Sequence, residues 1–322
     1  MESTDPERTL ALGPVRHACH RCGTCCTGWR VRLADIEERE RVTRQAAVLG
    51  IEEPLVEGAL RRVDGRCVFL GADNMCRIHA RFGHEKKPLV CRFFPRRALV
   101  AGDAVRIGAD PGCTSTWKTW RDGPLMDMAP MPRPRSEAFP AELVASEEGL
   151  IGLAGAPGMT VALFMGVVVG DRSTLPELPP GLARRLASRL SFVTPHLRDP
   201  ENGDIARGWL EPMAEVLDRF GADEDGEVAL PSWAGRLSEE QEGFALEVLR
   251  RTLFLRLGDE VIPPIGQTLL WLGGVLAAAW ADPRPERFGP ALSAWSRVSR
   301  LTDFWAPALP DTDMARWVLS GH

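Results

Sequence analysis

Apolar and polar positions give the two parts of this chain different textures. Up to about residue 120, apolar residues fall in short clusters broken by Gly, Asp and Asn, the pattern of small strands and tight turns. Arg30-Val31-Arg32-Leu33 alternates and predicts a short strand. Ala34 to Gly50 is rich in helix formers and ends on a glycine stop, so a helix is expected there. A second short helix is expected from Pro54 to Arg62. Gly65 to Ile78 reads as a hairpin turning at Gly71-Ala72-Asp73-Asn74, with Cys67 and Cys76 facing across it. A helical turn at His79-Ala80-Arg81-Phe82 follows. Ala98 to Ala101 and Ala104 to Ile107 form a further hairpin about Gly102-Asp103.

Residues 123–140 hold five prolines, Pro124, Pro130, Pro132, Pro134 and Pro140, a density that blocks helix and sheet alike. Beyond them the pattern is helical, with helices expected near 140–149, 158–170, 181–194, 204–220, 238–257, 266–281, 285–299 and 311–319. Ser238 with Gln241 is a helix-capping pair. The fold class is therefore mainly α: a small Cys-rich N-terminal subdomain with short β-hairpins, then an all-helical C-terminal region. The organisation expected is a tail at 1–16, a cysteine-cluster domain at 17–123, a linker at 124–140 and a helical domain at 141–322.

Two apolar runs carry no charge, Gly149 to Gly170 and Val261 to Ala281. Glycines and prolines interrupt both, and a spanning helix needs about twenty mostly apolar residues. Both are read as buried core helices, with no membrane partner. The N-terminus lacks a basic region followed by an apolar run, so no secretory signal is expected. A cytoplasmic location follows, where thiols stay reduced.

The chemistry lies in the cysteines. Cys19, Cys22, Cys25 and Cys26 make a C-x2-C-x2-C-C run, followed by Cys67, Cys76, Cys91 and Cys113, and no cysteine follows Cys113 in the 322 residues. Thiolates at two-residue spacing can converge on one centre, and Gly23 lets the backbone wrap between them. All eight are candidate metal ligands. They exceed the four thiolates that one tetrahedral zinc or one four-iron cluster takes, so the chain has either two centres or spare thiols. An extended backbone would keep neighbouring Cys25 and Cys26 from aiming at one ion, which favours dividing them between sites. Disulfides are the alternative that a reducing compartment disfavours. An iron–sulfur (4Fe–4S) centre is preferred to zinc, because the thiols continue through Cys113.

Other candidates carry blander readings beside the functional one. His17, His20, His79 and His84 could supply nitrogen ligands, or be surface and supporting residues. Arg92, Arg96 and Arg97 could balance an anionic cluster or hold a carboxylate, or be surface charge. Trp209, Trp271 and Trp295 read as core, and His196 as structural. Residues 1–125 hold 21 Lys+Arg against 16 Asp+Glu, and the remainder 18 against 28. The basic excess is read as offsetting thiolate charge rather than binding nucleic acid.

The order Cys19-x2-Cys22-x2-Cys25-Cys26, Cys67-Val68-Phe69-Leu70, Cys76-Arg77-Ile78 and Pro88-Leu89-Val90-Cys91-Arg92-Phe93-Phe94-Pro95 resembles the YkgJ-type cysteine-cluster family of zinc- or iron-chelating proteins. The length from Cys76 to Arg96 is most similar to the flagellin lysine-N-methylase branch. That resemblance implies an iron–sulfur cluster, S-adenosylmethionine as methyl donor and a protein substrate. The reading reached is a cysteine-ligated metal-binding protein, either a lysine-N-methyltransferase or a non-catalytic chelating module.

Overall fold

The computed structural model describes residues 8–102, 104–127, 129, 131–132, 135–136, 141–169, 193–220, 236–257 and 263–300. Most of its short strands lie among the cysteines and its longest helices follow, so the chain is mainly α with small N-terminal hairpins.

Strand β1 (Arg8–Leu10) lies in the stretch expected to be an irregular tail. Helix α1 (Ile36–Val48) forms where helix formers accumulate. The Asp35 carboxylate accepts from Glu38 N at 2.8 Å, and Glu37 and Glu38 occupy the first turn, where the helix dipole favours negative charge. Gly50, at φ 67°, follows its end.

The expected helix over 54–62 is absent. Two tight hairpins replace it: β2 (Leu55–Val56) with β3 (Ala59–Leu60), and β4 (Arg62–Val63) with β5 (Arg66–Cys67). Their two-residue turns are Glu57-Gly58 (φ 49° and 74°) and Asp64-Gly65 (φ 50° and 70°). Paired positive φ values are the geometry whose twist suits a hairpin, and they are incompatible with a helix. The Asp64-Gly65 turn also commits Cys67 to pairing with Arg62. The chain does fold back at Gly71 to Asn74, where Cys76 bridges Leu70 and Arg77 N donates to Phe69 O at 2.8 Å, so Cys67 and Cys76 come near each other without being paired in register. Nor is Arg30 to Leu33 a strand; Arg32 makes one isolated bridge to Ala59. Leu33, Val42, Ala46, Leu60, Phe69 and Ile78 close into a small core beneath these turns.

Helix α2 (Arg77–Phe82) and helix α3 (Leu89–Phe93) follow. The hairpin expected near residue 102 is present as β6 (Arg96–Ala101) and β7 (Ala104–Ala109), antiparallel in full register. β1 joins β7 in parallel and β8 (Arg135–Ser136) joins β6 in parallel, giving the order β1-β7-β6-β8. Helix α4 (Ser115–Thr119) leaves the sheet.

The helical part comprises α5 (Ala141–Ala154), α6 (Val161–Val169), α7 (Asp204–Phe220), α8 (Glu239–Phe254), α9 (Pro264–Ala281) and α10 (Pro285–Val298). A further helical stretch covers 193–197. Most of the expected 181–194 helix, and all of 311–319, lie outside the described residues. Ser238 and Gln241 cap α8 reciprocally. α9 is long and apolar enough to cross a membrane, yet two-thirds of it is buried against its neighbours. A Cβ on Gly274 would meet the Trp295 ring at 2.2 Å, so α9 and α10 touch backbone to indole. Trp271 and Trp295 are buried in this core, and Trp209 packs at its edge.

The two parts share surfaces. Trp117 of α4 belongs to the helical core, 4.9 Å edge-to-face from Phe244. Glu147 of α5, almost fully buried, accepts from Arg106 of β7 and from Arg256. Replacing Glu147 by Leu leaves both buried guanidiniums without their carboxylate. The expected loss is about 3–5 kcal/mol, read by urea unfolding; a loss below about 1 kcal/mol would contradict this account of the junction.

Candidate metal centre

The C-x2-C-x2-C-C segment is shaped by one glycine and two buried threonines. Gly23 has φ 74°, and a Cβ there would press on the Asn74 side chain at 3.0 Å. Thr24–Cys26 then forms a single 3-10 turn, closed by Cys26 N donating to Gly23 O at 2.8 Å. The Thr27 hydroxyl donates to Thr24 O at 3.0 Å. This backbone is helical, so the condition under which Cys25 and Cys26 would be divided between sites, an extended backbone, is not met. Both sulfurs lie on one side, 3.9 Å apart. With Zn–S bonds near 2.3 Å, two thiolates on one tetrahedral ion sit about 3.8 Å apart.

Three more thiols lie beside this pair. Cys67 ends β5, Cys76 immediately precedes α2 and Cys91 is in the middle of α3, and all three pack on the small core around Phe69 and Ile78. α3 is positioned by Glu38, whose carboxylate accepts from Ala34 N and from Leu89 N at 2.8 and 2.7 Å. These cysteines sense one another's charge. Burial pushes Cys67 up to about 11, with Cys76 and Cys25 adding to the shift. Burial, then Cys67, pushes Cys91 well above the ordinary thiol range. Cys25 and Cys26 share a proton. The hydrogen bond from Cys26 lowers Cys25 to about 6, against burial and with help from Lys87 and Arg297. The same bond raises Cys26 strongly.

A second neighbourhood holds Cys22, Cys113 and His17. Cys22 Sγ is 3.2 Å from the Thr114 hydroxyl, and Cys113 Sγ is 3.4 Å from His17 Nε2. Burial would raise Cys22, but hydrogen bonds led by Thr114 outweigh it and lower its pKa. Burial pushes Cys113 up to about 12. Burial, with His20 and Arg251 nearby, lowers His17 to about 4, so its imidazole is neutral at pH 7 and able to coordinate. Cys19 stands apart and exposed, its sulfur accepting from Arg21 N at 3.4 Å. His79 and His84 stack edge to face at 5.5 Å. Among the described residues, no three His, Cys, Asp or Glu side chains are already arranged as a cage for a metal ion. Binding an ion would have to draw the sulfurs together, and the paired thiols at 3.9 Å give it a starting edge.

The arginines around Cys91 have other partners. Arg92 pairs with Glu85, Arg96 with Asp127 and Arg97 with Asp110. The arginine that reaches the cysteine loop comes from α10. Fully buried Arg297 donates to Thr24 O at 2.9 Å and to Thr27 O. Arg300 grips buried Asp110 through two hydrogen bonds, at 2.9 and 2.7 Å. Despite burial, Arg300 and Arg97 hold the Asp110 carboxyl far below the usual carboxylate range. Arg297, Arg300 and Asp110 had no distinguishing pattern in a chain so rich in arginine. The one available signal was that Asp110 lies in the turn that presents Cys113.

Residues 18–114 match a family model bearing the CxxCxxCC signature and described as a "Putative zinc- or iron-chelating domain". An uncharacterized protein of Methanocaldococcus jannaschii is 31% identical over 95 residues, covering 29% of this chain and 34% of that protein. The chain thus spans about a third of the length of this curated relative. No solved structure matches. The matched span runs from the C-x2-C-x2-C-C segment to Cys113 and includes all the cysteines.

In metal-free protein, alkylation of Cys25 should be half-maximal near pH 6, with Cys67 far slower at that pH. Serine at Cys26 should move the Cys25 midpoint upward, because a thiol that stabilises the thiolate is replaced by a differently placed hydroxyl. Peptide-resolved labelling across pH reads both. An unchanged Cys25 midpoint in C26S would contradict the shared proton.

Proposed function

We propose that the chain holds a zinc or iron ion through thiolates drawn from Cys25, Cys26, Cys67, Cys76 and Cys91. The observation that carries this reading is the Cys25–Cys26 sulfur pair, 3.9 Å apart and matched to the edge of one tetrahedral thiolate site. Four of the five thiols complete such a site. The resemblance of residues 18–114 to a zinc- or iron-chelating domain supports it independently. A bound cation would outweigh what keeps these thiols protonated, burial at Cys67 and Cys91 and the Cys25 hydrogen bond at Cys26, and hold them as thiolates. Cys22, Cys113 and neutral His17 form a flanking group that could accept a second ion.

A 4Fe–4S cluster is the second reading. The number of thiols favours it; the close sulfur pair does not, since each iron of such a cluster takes one thiolate. Methyl transfer from S-adenosylmethionine to a protein lysine rests on motif order alone, whereas a chelating module needs only that the neighbouring sulfurs close around the Cys25–Cys26 pair. Either function suits a reducing compartment such as the cytoplasm.

The test is anaerobic purification of the full chain followed by metal and acid-labile sulfide analysis. About one zinc or iron per chain is expected. C26S and C91S should lose most of it and melt at lower temperature, while C19S retains it. Full metal load in both C26S and C91S would sink the proposal. Near-equal iron and sulfide would instead select the cluster.

A further inference from the structure

On the other side of α3 from the small core lies a cavity of about 340 Å³, within the range that takes small ligands. Leu89, Val90, Phe93, Met131 and Leu255 supply its apolar walls. Its polar lining is cationic: Arg96, Arg97 and Arg300 all face it, together with Trp29. Two of these three guanidiniums share one carboxylate, Asp110. Arg96 donates to Asp127 O at 2.6 Å and meets the exposed Asp127 carboxylate only at 3.5 Å.

The arginines lie over aromatic rings. Arg96 lies 4.7 Å over Phe93, and Arg97 and Arg300 lie 5.7 and 5.6 Å from the Trp29 ring, which Arg297 also flanks at 4.9 Å. Cation–π contact holds a guanidinium beside a ring while its N–H groups remain available to donate. Two buried donors of lining residues, Arg300 Nε and Trp29 Nε1, have no hydrogen-bond partner, which is unusual for buried polar atoms.

We propose that this cavity binds an organic anion with a carboxylate or phosphate head and a flat apolar body. The head meets the arginine edges, as forked guanidiniums meet planar oxyanions, and the body lies against Phe93, Val90 and Leu255. α3 carries both a wall of the cavity and Cys91, so the site abuts the candidate metal centre. It does not depend on which metal is bound there.

The probes are 2-naphthoate, 2-naphthyl phosphate and the neutral 2-naphthalenemethanol, titrated calorimetrically into the full chain as purified. At least one anion should bind tenfold or more tighter than the alcohol, and the tighter anion identifies the head group. R96Q should weaken that anion tenfold or more. Val90 is exposed, so V90W fills the cavity without disturbing the core; it should weaken the same anion tenfold or more with melting temperature and metal content unchanged. Equal binding of all three probes, no saturation by any, or wild-type affinity in V90W would overturn the assignment.

Discussion

The grip of Arg297 on the cysteine loop is the interaction on which the rest depends. Its guanidinium is wholly buried and donates to the carbonyls of Thr24 and Thr27, which bracket Cys25 and Cys26. Burial lowers its pKa to about 10, with Cys25 and Asp110 opposing, so it stays charged at neutral pH. A buried charge is tolerated only when its donors are used, and here the acceptors are two backbone carbonyls of a tight turn. Removing the side chain would strand both carbonyls and release the turn that puts two sulfurs side by side. The neighbouring Arg300–Asp110 pair fixes the chain just before Cys113 in the same way. The last described helix therefore shapes a site whose ligand candidates all lie before residue 114.

Without a metal, most of the site's thiols stay protonated. Burial, with neighbouring sulfurs adding to it, holds Cys67 and Cys91 as thiols, and the hydrogen bond with Cys25, then burial, does the same for Cys26. Cys25 is the exception, because Cys26 donates to it and Lys87 and Arg297 lie near. An arriving cation would meet a thiolate at Cys25 first and displace protons from its neighbours as it is enclosed. Metal binding and proton release are then coupled.

Much of the fold was legible because local chemistry and tertiary packing agree. The Asp35 cap and Gly50 delimit α1, the Ser238–Gln241 box starts α8, and the residues around Gly102 fold back as expected. The failure at 54–62 came from ranking helix formers above turn chemistry, although Asp64-Gly65 is a strong hairpin signal. The cysteines were legible as a set, but their division was not. Whether Cys25 and Cys26 converge depends on a 3-10 turn held from 270 residues away by Arg297, and no local pattern records that contact. The cavity beside α3 was equally invisible, since its arginines come from β6 and from the end of α10.

X-ray absorption at the metal edge of anaerobically purified full-length protein tests the central claim most directly, because it counts the sulfurs. A first shell of about four sulfurs near 2.3 Å is predicted. A first shell made only of nitrogen and oxygen near 2.0–2.1 Å would contradict it.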